Sequence, residues 1–164
     1  MTDRRLDELV GSTLQRIVDW LQEAFDVDRV TLRRAVPDDF YPVLFEARTE
    51  RARTLIGDTE IDLRGQPVVR VLSEDRAQVV QHDARTAFDD PGFQRMLASY
   101  GDLGAQIVTP VHVDGELAGI ISLHHLGSPR RWSPGEVALA RDAAAVVAGV
   151  LAAERAAGPA GAEG

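Results

Sequence analysis

The sequence of 164 residues contains no cysteine and no lysine, and only 5% of its residues are aromatic. Without cysteine, disulfides, thiolate metal sites and cysteine nucleophiles are all excluded. All 18 cations are arginines, and the net charge of -8 argues against a nucleic-acid surface, which needs clustered cations. No apolar run approaches the roughly 20 residues that cross a membrane, and the charged N-terminus does not resemble a signal peptide. We therefore expect a cytoplasmic protein with no nucleic-acid or membrane partner.

The length fits one domain of ordinary size, which we place at residues 4–156 with a flexible C-terminal tail at 157–164. Apolar residues recur at helical spacing from Thr2 to Phe25, and a second helix begins at the capping box of Ser133 and Glu136 and runs to about Arg155. Between them the pattern predicts strands and short helices. The strands are Arg29–Ala35, Tyr41–Arg48, Ile61–Leu63 and Ala77–Gln81, and the helices are Pro67–Glu74 and Pro91–Tyr100.

Asp114-Gly115 lies between two alternating apolar runs and predicts a two-residue hairpin turn, because both central residues of a type I′ turn need positive φ. Counting outward from this turn pairs Thr109 with Ile120 and Ile107 with Ser122. On that register, both residues of each pair share one face of the sheet with His124. Both faces are mostly apolar, so we expect an α+β fold in which each face of an antiparallel sheet is covered.

The two long terminal helices are expected to cover one face of the sheet, and only short helices and loops remain for the other. A loose lid of that kind makes a pocket, and small hydroxyls beside a histidine in an apolar setting are typical of a small-ligand site. The predicted site combines strand residues with aromatic and sulfur side chains of the lid helix. Its members are His124, Ser122, Thr109, Ile107, Ile120, Phe93, Met96, Tyr100, Phe88 and Phe45.

The histidines do not predict a metal site. His124 and His125 are neighbours on a strand and face opposite sides, so they cannot hold one metal together. His124 as a ligand contact competes with His124 as a hydrogen-bonded core residue, and His82-Asp83 is typical of a turn. A haem would need one axial histidine, which His124 or His82 could offer, but no second feature supports one.

The succession from Tyr100 to Glu136 resembles a GAF domain. A helix ending at glycine is followed by the hairpin TPVHVDGELAGIISL, then HH, PRRW and a capped helix, and this order is most similar to GAF domains of the phytochrome type. The resemblance extends over Leu6–Leu151. It implies a sheet of five or six antiparallel strands between terminal helices and a ligand lid, dimers formed by the terminal helices, signalling by a bound small molecule, and His124 facing that ligand.

Three departures from the phytochrome pattern argue against a covalent bilin. The chain has no attachment cysteine, Phe93 stands where that family has a histidine near the bilin, and Ala87 stands near the position of a propionate-binding arginine. GAF-like free methionine sulfoxide reductases depend on cysteine, so their activity is excluded as well. Neither a bilin nor a haem is therefore expected, and the cofactor is left unnamed.

Three functions remain open at this point. The first is a non-enzymatic sensory or regulatory domain that binds a small organic ligand and signals through a helix-mediated homodimer or through an output protein in trans. The second is an enzyme or accessory subunit that uses His124 as acid or base and Thr109 or Ser122 to position substrate. The third is a degenerate domain that serves only for dimerisation.

Overall fold

The computed structural model describes residues 3–158, which form a five-stranded antiparallel sheet with helices on both faces. The strands lie in the order β2-β1-β5-β4-β3. In chain order the elements are α1 (Arg4–Phe25), β1 (Arg29–Arg34), β2 (Val43–Arg48), α2 (Pro67–Arg70) continued by a π-helical turn (Val71–Asp75), β3 (Val79–Gln81), a 3₁₀ turn (Ala84–Thr86), α3 (Pro91–Ser99), β4 (Leu103–Val113), β5 (Glu116–Leu126) and α4 (Pro134–Ala157). The predicted α+β fold is confirmed.

The terminal helices α1 and α4 cover one side of the sheet, which we call the helix face. Asp3 caps α1 by accepting a hydrogen bond from the Arg5 amide at 2.9 Å. The predicted capping box of α4 is also present: Ser133 Oγ accepts from the Glu136 amide at 3.1 Å, and Glu136 Oε1 accepts from the Ser133 amide at 2.8 Å. These caps fix where each helix begins and therefore which of its residues reach the sheet.

The hairpin of β4 and β5 has the predicted turn, with φ of 51° at Asp114 and 80° at Gly115. Its register differs from the one predicted by counting outward from the turn, because Val111 pairs with Gly119 and Ala118 is left as an extra residue on β5. The carbonyl of Ala118 accepts a hydrogen bond from the Ala35 amide at 2.9 Å, which anchors this β-bulge to the chain beyond β1. Glycine is required at position 119, where a Cβ would lie 2.8 Å from the Arg33 carbonyl oxygen.

The bulge shifts the alternation of β5 relative to β4, so residues of β5 beyond it no longer share a face with the β4 residues that the count pairs them with. Ile120, Ser122 and His124 of β5 lie on the predicted lid face, but Thr109 now pairs with Ile121 and Val108 with Ser122. Ile107 packs among the residues under the terminal helices. Thr109 accepts a hydrogen bond from Gln78 Nε2, which also donates to the Val137 carbonyl of α4. The placement of Ile107 and Thr109 in the pocket is therefore wrong.

Phe45 is also on the helix face. The pairing of β1 with β2 shifts by one residue, so that Leu32 pairs with Phe45 and Arg33 with Val43. As a result Phe45 packs with the core under the terminal helices, whereas Val43 packs under the lid. Simple alternation along β2 would place Val43 and Phe45 on one face, and the irregularity in the pairing separates them.

The lid consists of the loop 49–66, α2 with its π-helical turn, and α3. The predicted strand Ile61–Leu63 is wrong, because the whole of the loop lacks strand pairing. Glu46 of β2 fastens the loop to the sheet: its Oε1 accepts from Thr54 Oγ1 at 2.6 Å and its Oε2 from the Leu55 amide at 2.7 Å. The aliphatic side chains of Leu55, Leu63 and Leu72 are buried beneath the lid.

α4 runs to Ala157, two residues beyond the predicted end. Residues 159–164, most of the predicted flexible tail, lie outside the described residues. Within residues 3–158, none of the helices combines the length and the apolar character needed to span a bilayer.

Candidate ligand-binding site

A cavity lies between the lid and the sheet, and its volume is about 40 Å³. One wall is the sheet, which contributes polar side chains, and the other is the underside of the lid, which is mostly aliphatic. The lining residues are Thr31, Arg33, Gln106, Val108, Ile120, Ser122 and His124 from the sheet, and Leu63, Gln66, Val68, Val69, Leu72, Met96 and Tyr100 from the lid and the residue after α3. A cavity of this size holds on the order of one or two water molecules.

The polar wall follows from the register of three strands. Arg29 of β1 pairs with His124 of β5, and Thr31 pairs with Ser122. On the other side of β5, His124 pairs with Gln106 and Ser122 with Val108. Because paired residues point to the same face, the lid face presents a row of arginine, histidine and glutamine beside a row of two hydroxyls and a valine.

Arg29 is fully buried and organises this wall. Its Nε donates to His124 Nδ1 at 3.0 Å, its Nη1 to the Arg53 carbonyl at 3.0 Å and its Nη2 to the Tyr100 carbonyl at 2.8 Å. Burial lowers the pKa of Arg29 to about 10, and the neighbouring Glu46 carboxylate opposes that shift. The guanidinium therefore remains protonated at neutral pH and holds the lid to the sheet.

His124 is neutral and its tautomer is fixed by Arg29. A guanidinium only donates, so Nδ1 of His124 must accept and the ring proton lies on Nε2. Burial, and then the charges of Arg29 and Arg33, lower the pKa of His124 well below its usual value. His124 thus offers the cavity a hydrogen-bond donor.

Tyr100 closes one end of the cavity. Its ring stacks on the His124 imidazole at a centroid distance of 5.8 Å, and its hydroxyl accepts a hydrogen bond from Arg33 Nη2 at 2.9 Å. Burial raises the pKa of this hydroxyl. Arg33 also donates through Nη1 to the Tyr41 carbonyl at 2.9 Å, so its position at the edge of the cavity is held from two sides.

Two buried polar atoms in the cavity wall have no partner within the described part of the chain. They are Thr31 Oγ1 and Gln66 Oε1. Thr31 is 1% exposed and Gln66 is 7% exposed. An unsatisfied buried polar group costs about 1–3 kcal/mol, so two of them on one small cavity need an explanation.

Five of the ten predicted site residues line the cavity: His124, Ser122, Ile120, Met96 and Tyr100. Phe88 and Phe93 belong to the same lid core but stand outside the cavity lining. Their rings meet edge to face at 5.1 Å, and Phe93 is completely buried. Ile107, Thr109 and Phe45 lie across the sheet, for the reasons given above.

The sequence reasoning missed the contribution of β1, whose polar residues alternate with buried Val30 and Leu32. That alternation was a usable signal for placing Thr31 and Arg33 on one face. Gln106 and Val108 were missed because of the bulge. Gln66 gave no signal beyond its place before the proline that begins α2.

His82 directly follows β3 and is a structural residue that holds the loop before α4. Its Nδ1 accepts from the Trp132 amide at 3.0 Å and its carbonyl accepts from the Arg130 amide at 2.9 Å. Asp83 caps the following 3₁₀ turn by accepting from the Arg85 amide at 3.1 Å. Among residues 3–158, no group of three histidine, aspartate or glutamate side chains is placed to hold a metal ion.

The family model for the GAF domain matches residues 10–151. The chain is a member of the GAF family. Solved GAF structures have the same fold. The blue-light-absorbing form of the PixJ GAF domain from Thermosynechococcus elongatus is 18% identical with a TM-score of 0.78, and the match covers 93% of this chain and 90% of that one. The phycocyanobilin-bound GAF domain of a cyanobacterial phytochrome is 19% identical with a TM-score of 0.76, covering 92% of each.

A third similar structure is a red/green cyanobacteriochrome in its green-light-absorbing state, with 18% identity, a TM-score of 0.75, and coverage of 89% of this chain and 96% of that one. No curated protein matches the chain in sequence. At these identities the solved structures establish the GAF fold of this chain, and its ligand has to be argued from its own residues.

The residues of this GAF domain do not fit a bilin. The cavity of about 40 Å³ is far smaller than a linear tetrapyrrole, and Leu63, Leu72 and Met96 of the lid occupy the space above the sheet. The sequence also lacks the cysteine that a covalent attachment requires.

Proposed function

We propose that this GAF domain is a non-enzymatic sensory or regulatory module that binds a small organic ligand between the lid and the sheet. The observation that carries the proposal is the pair of unpartnered buried atoms, Thr31 Oγ1 and Gln66 Oε1, on opposite walls of one cavity. A ligand with matching polar groups would satisfy both atoms and recover the free energy that their burial costs.

The state of His124 favours binding over catalysis. A general base needs a free lone pair and a general acid needs a proton that leaves readily near neutral pH. Arg29 occupies the lone pair of Nδ1, and the lowered pKa of His124 leaves the ring uncharged. The remaining Nε2–H is suited to donating a hydrogen bond to a bound molecule, which is the role we assign to it.

The experiment is a thermal-shift screen of the purified protein against metabolites of acidic, neutral and basic character. Binding to the folded state raises the melting temperature by mass action. Ser122→Leu fills the cavity from β5 and should abolish the shift of every active compound. Thr109→Ser is the matched control, because Thr109 is a buried hydroxyl residue on the helix face. This variant should keep the shifts in melting temperature. The proposal fails if no compound stabilises the wild type, or if active compounds stabilise Ser122→Leu equally.

We further propose that the signal passes to the terminal helices and that these form a homodimer. Arg33 lines the cavity, and its neighbour Arg34 donates to Glu154 of α4 at 2.6 Å, so a displacement of β1 is transmitted to α4. The outer surface of α1 and α4 carries a groove of about 450 Å³ lined by Ile17, Trp20, Leu139, Ala143 and Val146, with Arg16 and Asp142 beside them. Trp20 and Val146 are 51% and 57% exposed, which is unusual for large apolar side chains in a GAF domain that acts alone.

Sedimentation velocity tests the dimer. The wild type should sediment as a dimer at micromolar concentration, and Val146→Glu should sediment as a monomer, because a carboxylate cannot be buried in an apolar interface without a partner. Leu44→Glu is the control, since Leu44 is 41% exposed on β2 and away from the groove. A monomeric wild type, or equal behaviour of the two variants, would contradict the homodimer.

A cytoplasmic location of the protein stays a prediction.

A further inference from the structure

Among the described residues, neither arginine at the polar wall of the cavity hydrogen-bonds to a carboxylate. Arg29 and Arg33 donate only to carbonyl, imidazole and hydroxyl groups. Two carboxylates that act on Arg29 have other partners: Asp28 accepts from the Leu126 amide at 2.8 Å and lies 3.6 Å from Arg51, and Glu46 holds the loop of the lid. Asp39, Asp58 and Asp62 line the neighbouring crevice, which Arg33 also lines. None of the described residues that line the cavity is acidic.

The hydrogen-bonding groups on this wall are predominantly donors. Thr31 and Ser122 are paired across β1 and β5, and their hydroxyls stand between the guanidiniums of Arg29 and Arg33. His124 adds its Nε2–H from the same strand as Ser122. Hydroxyls beside two cations donate preferentially to an anionic oxygen, and such charge-assisted bonds are roughly twice as strong as neutral ones.

The lid wall offers one acceptor in an aliphatic surround. Gln66 donates its amide to the Gly92 carbonyl at 3.3 Å, which leaves Oε1 as the unpartnered atom. The other lid residues around it are Leu63, Val68, Val69, Leu72 and Met96. An occupant therefore needs an apolar body and one hydroxyl or N–H that can donate to Gln66.

Room for such a body adjoins the cavity. An outer crevice of about 370 Å³ lies under the loop of the lid, and Leu63 and Arg33 line both the crevice and the cavity. These two side chains form the partition between the two spaces. A shift of Leu63 in the strand-free loop would join them and admit a molecule of about one ring.

We propose that the ligand is a small organic acid whose carboxylate faces Thr31, Ser122 and Arg33, whose apolar body lies under the lid, and whose hydroxyl or N–H donates to Gln66 Oε1. This inference rests on the proposed ligand-binding function. A monoanion suits the site better than a phosphate dianion, because the desolvation cost of a closed site rises steeply with charge.

The test measures binding of three acids and their methyl esters by titration calorimetry: 4-hydroxybenzoate, pyrrole-2-carboxylate and 2-hydroxyisocaproate. Each acid carries a donor for Gln66, and each ester keeps the body and loses the charge. At least one acid should bind about tenfold or more tightly than its ester. Esters or amines that bind as well as the acids would overturn the inference. If esters bind and acids do not, the proposed function survives without this inference. If neither acids nor esters bind, the inference fails, and the thermal-shift screen decides the proposed function.

Two adjacent arginines give a matched pair of variants. Arg33→Met should weaken the acid about tenfold or more and leave its ester unchanged, since only the carboxylate loses a partner. Arg34→Met, on the same strand but paired with Glu154, should leave both affinities unchanged.

Gln66→Met adds a second readout: it should weaken the binding of 4-hydroxybenzoate towards that of benzoate, which lacks the hydroxyl, and leave the binding of benzoate unaffected. Equal losses in the two arginine variants, or a Gln66→Met variant that binds 4-hydroxybenzoate normally, would contradict the assignment.

Discussion

The two faces of the sheet are both buried, yet they are built from different chemistry. Along β1 the residues Val30 and Leu32 point to the helix face and are fully buried, while Arg29, Thr31 and Arg33 point to the lid face. The helix face is closed by two long capped helices and packs aliphatic side chains against one another. The lid face is closed by a loop and short helices, and it contains cations, hydroxyls and amides around a cavity.

The difference separates what stabilises the domain from what the domain can recognise. The helix face obeys the usual rule that interiors are close-packed and apolar. The lid face departs from this rule at two unpartnered buried atoms, Thr31 Oγ1 and Gln66 Oε1. It also contains the buried guanidinium of Arg29, whose hydrogen-bond acceptors include no carboxylate. Local departures of this kind reduce stability and concentrate at functional sites. We therefore interpret the helix face as the structural half of the domain and the lid face as the binding half.

The largest expected effect compares two neighbours on β4. Ile107→Ala opens a hole in the closed core of the helix face and should lower the free energy of unfolding by about 3–4 kcal/mol. Val108→Ala removes fewer carbons from a wall that already borders a cavity, and should cost about 2 kcal/mol. Urea denaturation measures both. Ligand binding should show the opposite order: it should change in Val108→Ala, whose side chain lines the cavity, and stay unchanged in Ile107→Ala. A change in binding confined to Ile107→Ala would contradict the observed register.

Arg29→Met should lower the free energy of unfolding by about 3 kcal/mol. The substitution leaves His124 Nδ1 and the carbonyls of Arg53 and Tyr100 without their donor, and each buried acceptor costs about 1–3 kcal/mol, partly offset because a cation is no longer buried. Arg4→Met is the control: Arg4 is an exposed arginine of α1, far from the lid, and its ion pair with Glu8 should contribute little to stability. Equal effects of the two substitutions would mean that Arg29 does not hold the lid to the sheet.

The stability of the domain should depend on pH through His124. The pKa of His124 is lowered in the folded state, so below its unfolded pKa of about 6.5 the unfolded chain takes up a proton that the folded chain does not. Stability should therefore fall as the pH drops below about 6.5, by up to about 1.4 kcal/mol per pH unit for this one group.

Denaturation at pH 7.5, 6.5 and 5.5 measures this dependence. His124→Asn keeps an acceptor for Arg29 and removes the titrating group, so its curve should be flatter than that of the wild type. His125→Asn is the control: burial also lowers the pKa of His125, but this residue is only partly buried near the end of β5, so its removal should flatten the curve less than His124→Asn. If the pH dependence of stability persists in His124→Asn and disappears in His125→Asn, it arises from His125 and not from His124.

The comparison of the faces also shows how far the sequence could predict the molecule. Helical periodicity, the capping box and the Asp114-Gly115 turn each act over a few residues, and they correctly located α1, α4 and the hairpin. These features are local, so the chain alone carries them.

The site was predicted only in part, because its geometry depends on contacts between distant segments. The bulge at Ala118 is stabilised by the Ala35 amide, and that hydrogen bond turned Ile107 and Thr109 away from the cavity and brought Gln106 and Val108 into it. The burial of Arg29 depends on carbonyls from the loop of the lid and from the end of α3. No spacing in the sequence encodes either interaction.

The smallest predicted effect is a change in the free energy of unfolding whose sign differs between the two faces. Thr31→Val removes a buried hydroxyl that has no partner in the described structure, so it should leave stability unchanged or raise it by up to about 1 kcal/mol. Thr109→Val removes a hydroxyl that accepts from Gln78 Nε2 at 3.0 Å, and should lower stability by about 1 kcal/mol. Ligand binding should change in the reverse sense, being weakened about tenfold by Thr31→Val and unaffected by Thr109→Val. Denaturation and calorimetry on both variants measure the four quantities. If Thr31→Val costs as much stability as Thr109→Val and leaves binding intact, the hydroxyl of Thr31 serves the fold, and the division of the domain into a structural face and a binding face is lost.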